Sequence, residues 1–288
     1  MAHEIVPAAE EILDQEFPVL DHGFVRLVDY NGGDQRIVQS ARVSYGEGTK
    51  TVRQDRGLIH YLLRNRHTSP FEQVGFTFHV KLPIFVARQW VRHRTARLNE
   101  ISGRYSILKD EFYLPEGSAI APQAQDNKQG RSAEPFDSET RDRLRTTLQE
   151  DQRRAAGTYH QLLEDNLARE LARINLPVST YTEWYWQIDL HNLFHFLELR
   201  LDAHAQYEIR VYGEVILDMV RRVAPLATEA FQEYLVGAVT FSRREFLALQ
   251  TLLSGATDDE RRRAAAGQNL EGRELDRLLE KLSSGRMT

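Results

Sequence analysis

Five arginines, Arg88, Arg92, Arg94, Arg97 and Arg104, crowd a short stretch that holds one acid, Glu100. The chain as a whole is acidic, with a formal net charge of -5 over 288 residues. A dense cationic spot on an anionic protein suits a compact anion better than a long polyanion. Guanidinium forks suit phosphate and carboxylate, because two N–H groups pair with two oxygens at once. On a helix Arg88 and Arg92 share a face, with Gln89 beside them. Arg92 and Arg94 project in different directions, so the Arg92-His93-Arg94 triplet reaches two ligands, or two sides of one. The same spacing also describes a solvated basic face at a helix C-terminus, where the dipole favours cations.

The continuation Ala96–Ser106 (ARLNEISGRYS) gathers Asn99, Glu100, Ser102, Gly103, Arg104 and Tyr105. We expect a loop that holds a sugar and a phosphate together. Backbone N–H groups and Arg104 would meet the anion, and Glu100 the hydroxyls. Ser102 has no evident histidine and orienting carboxylate to activate it, so its expected role is binding rather than attack. His191 and His195 are spaced like metal ligands. Asn192 stands where a zinc protease motif needs glutamate, and Glu198 and His204 would complete a metal set only by accident of packing, so we expect none. His204, four after Arg200, would share its helical face and touch ligand or orient the arginine. His79, in a strand pattern with Phe76 and Phe78, is expected to be structural. Trp184 and Trp186 are expected in the core or between subunits.

The elements that must position these residues follow from periodicity. Phe24–Tyr30 and Val74–Leu82 alternate apolar and polar side chains and predict strands. Thr180–Asp189 is β-branched and aromatic and predicts a third. Helices are expected over Asp34–Ala41, Thr51–Arg64, Pro83–Arg92, Thr140–Leu167, Leu190–Leu201 and Gln206–Val223, with another starting at Pro225. Residues 114–137, rich in Pro, Gly, Ser, Asn and Gln, predict a long loop. The expected domain plan is an N-terminal extension over 1–20, a main domain over 21–241 and a helical tail over 242–288.

Composition narrows the chemistry. The chain is 41% hydrophobic and 27% charged, as a globular protein is. It has no cysteine, which excludes disulfides, Cys-ligated zinc, iron–sulfur clusters and a thiolate nucleophile. The acidic start, MAHEIVPAAEEILDQEF, lacks the basic and apolar regions of a signal peptide. No run approaches the roughly 18 apolar residues of a spanning helix. We expect a cytoplasmic protein without membrane or nucleic-acid partners.

Arg92-His93-Arg94 followed by seven residues and then Ser102 is the RHR-x7-S signature of flavin-dependent thymidylate synthase. Three further segments resemble that family in order: ARVSY (Ala41–Tyr45), RHTSPFEQVGFTFHVKLPIFVARQWVRHR (Arg66–Arg94) and LELRLDAHAQYEIR (Leu197–Arg210). The resemblance runs from about Phe24 to Tyr234. It implies an α+β fold: a single domain whose twisted antiparallel sheet is surrounded by helices. It implies reductive methylation of dUMP to dTMP, with methylenetetrahydrofolate as carbon donor, NADPH as reductant and FAD as hydride carrier. It also implies a homotetramer with sites shared between subunits.

Site roles carry over by motif position. The resemblance places Gln89, Trp90, Val91, Arg92, Glu100, Ile101, Ser102, Gly103, Arg104, Arg173 and Arg200 at dUMP. It places Ser44, His67, Ser69, Arg92, His93, Arg94, Glu100, Asp189, Leu190, His191 and His195 at FAD. Asp189 and His191 depart from the asparagine and arginine common in the family, and Asp189 is expected to meet ribose, adenine or a cation rather than phosphate. Arg200 is the implied catalytic residue. Its guanidinium would stabilise negative charge developing on the uracil ring. A relative that has lost activity is argued against by Arg92, Ser102 and Arg200, all present.

Overall fold

The computed structural model describes residues 4–43, 52–125 and 129–284. Its centre is a five-stranded sheet ordered β1-β2-β3-β5-β4 with every neighbouring pair antiparallel. The strands are β1 (Glu16–Val19), β2 (Gly23–Asn31), β3 (Gly75–Pro83), β4 (Arg97–Glu100) and β5 (Tyr181–Asp189). β3 and β5 pair along their full length, from Gly75 opposite Asp189 to Pro83 opposite Tyr181. Alternation sends Val25, Leu27, Phe76, Phe78, Val80, Leu82, Trp184, Trp186 and Ile188 to one buried face. The α+β architecture with one antiparallel sheet is therefore the one expected, and both Trp184 and Trp186 are core residues.

The helices of the main unit are α1 (Pro7–Glu10), α2 (Asp34–Arg42), α3 (Val52–Arg64), α4 (Ile84–Trp90), α5 (Ser138–Glu164), α6 (Arg169–Ala172), α7 (Leu190–Arg200), α8 (Tyr207–Val223) and α9 (Pro225–Phe231). α8 buries Ile209, Tyr212, Ile216, Met219, Val220 and Val223 in the sheet's core. Gly23 is where this packing tolerates no side chain: a Cβ there would lie 2.1 Å from the Tyr212 hydroxyl oxygen. That hydroxyl donates to the Lys81 carbonyl at 2.8 Å. Asp137 caps α5 by accepting from the Thr140 amide at 2.8 Å.

On the opposite sheet face His79 is held as a structural residue. Its Nδ1 takes a hydrogen bond from Arg26 at 2.8 Å and its Nε2 pairs with Glu183 at 2.6 Å. Arginine only donates, so Nδ1 is bare and Nε2 carries the proton.

Three local expectations are corrected. Arg97–Glu100 forms strand β4 on the outer edge of β5 rather than loop. All four of its residues are exposed, so no apolar alternation announced it. Residues 16–19 form β1, the opposite edge, where Pro18 is tolerated. The helix after Pro83 ends at Trp90, before the arginine triplet, and Pro83 precedes its first turn.

Residues 238–288 form a second compact unit, separate from 1–237. Its helices are α10 (Arg243–Leu253), α11 (Asp258–Ala266) and α12 (Gly272–Ser284). Ser242 with Glu245, and Thr257 with Glu260, make capping boxes at the starts of α10 and α11.

Candidate active site

α4 leaves the end of β3, and α7 leaves the end of β5. Because those strands are antiparallel, the two helices start from opposite ends of the sheet and meet over its buried face. Their meeting point is aromatic: Trp90 packs 4.7 Å from Phe196 and 5.1 Å from Trp186, ring centre to ring centre. This contact brings the end of α4 against the end of α7. Two predicted residues distant in sequence meet there. Arg200 donates through Nε at 3.2 Å and through Nη2 at 3.1 Å to a single atom, Nε2 of His93. Nη2 also reaches the Gln89 carbonyl at 3.5 Å.

That geometry fixes a protonation state. A guanidinium has no acceptor, so His93 Nε2 is unprotonated and the ring is neutral. Burial, the Arg200 charge and the neighbouring His195 together push the His93 pKa down to about 4. Burial also lowers Arg200 from its ordinary value. Around the pair lies a cavity of about 300 Å³, lined by Arg92, Arg94, Thr95, Asn192, His195 and Arg200, with Ile188 and Leu199 as apolar wall. Arg88, Arg92 and Arg94 have no acidic partner among the described residues.

The second cluster is built on β4 and the turn after it. Ile101 is tied to the sheet by its amide on the Glu183 carbonyl at 2.9 Å, and Ser102 accepts from the Tyr105 amide at 3.1 Å. Glu100 accepts from the Thr182 hydroxyl. A Cβ on Gly103 would come within 3.1 Å of the Arg173 side chain, so glycine lets this arginine lie across the turn. Arg104 pairs with Glu170 at 3.0 Å, and Arg169 donates to the Tyr105 carbonyl at 2.6 Å. Glu100, Ser102, Gly103, Arg104 and Arg173 are thus brought together. No hydrogen bond or ion pair joins them to the Arg200 cluster among the described residues.

The remaining predicted residues are more scattered. Trp90 is buried and Val91 half-buried behind the arginine triplet. Asp189 caps α7, its two oxygens accepting from the Asn192 backbone at 3.0 Å and side-chain amide at 2.7 Å. It also lines a cavity of about 630 Å³ with Asn31, Gln73, Thr95, Arg97 and Gln187. Thr95 and Ile188 are shared between this cavity and the smaller one. Leu190 is buried, His191 half-buried, and His67 and Ser69 are exposed beyond α3. Ser44 lies outside the described residues, as does the end of the ARVSY segment. His204 is not on the Arg200 helix, which ends at Arg200; it sits in the following turn, with its Nδ1 against Asp202 at 2.9 Å. Among the described residues no group of three acidic, His or Cys side chains is placed to hold a metal ion.

The largest cavity, about 800 Å³, lies elsewhere, under the 114–131 loop, with Tyr113, Arg131, Gln206, Tyr207 and Arg210 among its walls. It joins the Arg200 site only through Gln206, which accepts from the Gln89 side chain. Sequence reasoning missed Thr95, Asn192 and Gln206. Each is an uncharged polar residue whose relevance depends on which helix lies opposite.

Residues 26–226 match the family described as "Thymidylate synthase complementing protein", and residues 239–288 match "Thymidylate synthase ThyX C-terminal domain". A flavin-dependent thymidylate synthase of Treponema denticola is 62% identical over 274 residues, covering 95% of this chain and 99% of the relative. One from Treponema pallidum is 57% identical over 285 residues, covering 99% of this chain and 90% of the relative. The chain belongs to the flavin-dependent thymidylate synthases. Among solved structures, the UMP/dUMP methylase PolB of Streptomyces cacaoi bound with 5-Br dUMP superposes with a TM-score of 0.69 at 32% identity. That match covers 76% of this chain and 99% of the methylase. The second family match begins at the boundary between the two compact units, so the synthase fold proper occupies the first.

Proposed function

We infer that this chain converts dUMP to dTMP by reductive methylation, with methylenetetrahydrofolate as carbon donor, NADPH as reductant and FAD as hydride carrier. The observation that carries this reading is the set of unpaired guanidiniums, Arg88, Arg92 and Arg94, beside an Arg200 held by a neutral histidine. Like charges packed together repel, and anionic ligands offset that cost.

The donor set fits a flavin dinucleotide. Arg92 and Arg94 supply charge for a pyrophosphate, Asn192 and His195 supply polar contacts, and Ile188 and Leu199 supply apolar wall for a ring. The adjoining cavity that shares Thr95 gives the ligand room to extend. When bound, FAD supplies the two-electron carriage between NADPH and the carbon being transferred. The chain's own residues do the rest. With no cysteine to add to the ring, activation of uracil falls to electrostatics. Arg200 faces the pyrimidine and stabilises charge as it develops, without losing its own proton. His93 takes two of Arg200's N–H groups and so fixes the plane of the guanidinium. Glu100 binds hydroxyls, and Ser102, Gly103, Arg104 and Arg173 bind the phosphate end.

We propose that the enzyme is a homotetramer whose sites are completed between subunits. The separation of the nucleotide residues into two clusters within one chain supports this. No helix among the described residues is long and apolar enough to cross a membrane, and we assign the enzyme to the cytoplasm with its substrates. The test of the function is the flavin spectrum under anaerobic conditions. Addition of NADPH should bleach the flavin, and dUMP should accelerate the bleaching. A protein that takes up no FAD, or whose reduction ignores dUMP, would overturn the reading.

A further inference from the structure

Glu208 is 3% exposed, and almost nothing about it was expected from sequence. Arg131 donates through Nη2 to both of its oxygens at 2.7 Å, and the Tyr113 hydroxyl donates to Oε1 at 3.0 Å. The same Arg131 is pinned by Nη1 on the Ala119 carbonyl at 2.7 Å. Burial acts to raise the Glu208 pKa, but the bonds and charge of Arg131 prevail and hold it below the usual range. Glu208 is therefore a carboxylate and only accepts.

That fact propagates. Gln206 lies 2.9 Å from Glu208 Oε2, and it must present its NH₂ end there. Its carbonyl end then points the other way, where it meets Gln89. A carbonyl oxygen accepts, so Gln89 must present its NH₂ end to Gln206. Two side-chain amides that are otherwise free to flip are each given one orientation by a buried charge. Gln89 is left with Oε1, for which no partner exists among the described residues. Its backbone carbonyl already receives Arg200.

We propose that Glu208 is a positioning residue for the nucleotide: through Gln206 it turns the Gln89 amide so that Oε1 faces the ligand and selects a group that donates hydrogen. The donor is the ring N3–H of the pyrimidine or a ribose hydroxyl. The proposal rests on dUMP being the ligand of this site. It also gives the 114–131 segment a task, since that segment supplies the Arg131 that keeps Glu208 ionised.

The test is a double-mutant cycle on dUMP affinity, measured by calorimetry with the FAD-loaded protein. Gln89→Leu and Glu208→Gln should each weaken binding by about 3- to 10-fold, the worth of one hydrogen bond. The double variant should bind no more weakly than Gln89→Leu alone, because Glu208 acts only through Gln89. Gln206→Leu cuts the chain without disturbing the buried ion pair, and it should behave as Glu208→Gln does. If losses multiply, or if Gln206→Leu binds dUMP as the unaltered protein does, the relay is wrong. Failure of the unaltered holoenzyme to bind dUMP at all would instead overturn the proposed function. A parallel series with 2′,3′-dideoxyuridine monophosphate separates the sources. The Gln89→Leu penalty disappears if the donor is the 3′-hydroxyl and persists if it is the ring N–H.

Discussion

Arginine does opposite work in two regions of this molecule. Arg131 is satisfied: both Glu208 oxygens, a backbone carbonyl and the Tyr207 ring surround it. Arg88, Arg92 and Arg94 have no acidic partner among the described residues, although the chain has acids to spare. An ion pair closed within the fold contributes to a fixed geometry and offers nothing to a ligand. A cluster kept open gives up stability, and the ligand supplies the missing counter-charge. The contrast teaches that counting arginines locates no site. What locates it is the absence of a carboxylate beside them.

The largest effect should come from opening the closed pair. Arg131→Ala leaves Glu208 buried without compensation, at a cost of about 3–5 kcal/mol. Chemical denaturation should show this as a lower midpoint, while Arg92→Ala should change stability by no more than about 0.5 kcal/mol in either direction. Equal losses in the two variants would erase the distinction. Next comes the reaction. Arg200→Ala should lower kcat/KM for dUMP by roughly 10²- to 10³-fold, as removal of a transition-state donor does, with FAD content retained. Third, if the clusters are completed between subunits, Arg92→Ala and Arg104→Ala proteins, each inactive, should regain activity when unfolded and refolded together. Random assortment predicts about a quarter of the unaltered activity, and no recovery would place both arginines in sites made by one chain.

The smallest effect is a pH dependence. His93 has a folded pKa of about 4, below its ordinary value of 6.5. Between those values the unfolded chain binds a proton that the folded chain does not. Stability contributed by neutral His93 is therefore complete above pH 6.5 and declines as the pH falls toward 4. His93→Gln should flatten that part of the profile. An unchanged slope would show that the Arg200–His93 contact does not hold the ring neutral.

Much of this was legible in the chain. β3 and β5 were plain because their side chains alternate strictly and are large. β1 and β4 were not, because edge strands bury little: β4 is exposed at every residue. The arginine triplet and the Glu100–Arg104 turn were visible as local chemistry, and family resemblance supplied Arg173 and Arg200. The pairing of Arg200 with His93 was not legible, since it depends on Trp90 and Phe196 meeting between two helices. Asp189 shows a related limit. Its charge suggested a ligand or cation contact, and in the fold its carboxylate holds the first turn of α7. The relay from Glu208 to Gln89 was hidden for the same reason, because each link belongs to a different element.

The full-length pairing of β3 with β5 also governs how the chain reaches this state. Gly75 and Asp189 are neighbours across the ladder, yet on the order of a hundred residues separate them, a costly loop to close during folding. α4 grows from one of these strands and α7 from the other. Until the ladder zips, His93 and Arg200 belong to unconnected halves. The slow step of folding and the birth of ligand affinity should then coincide in time, so that recovery of flavin binding during refolding tracks the central hairpin-free ladder rather than the faster local helices.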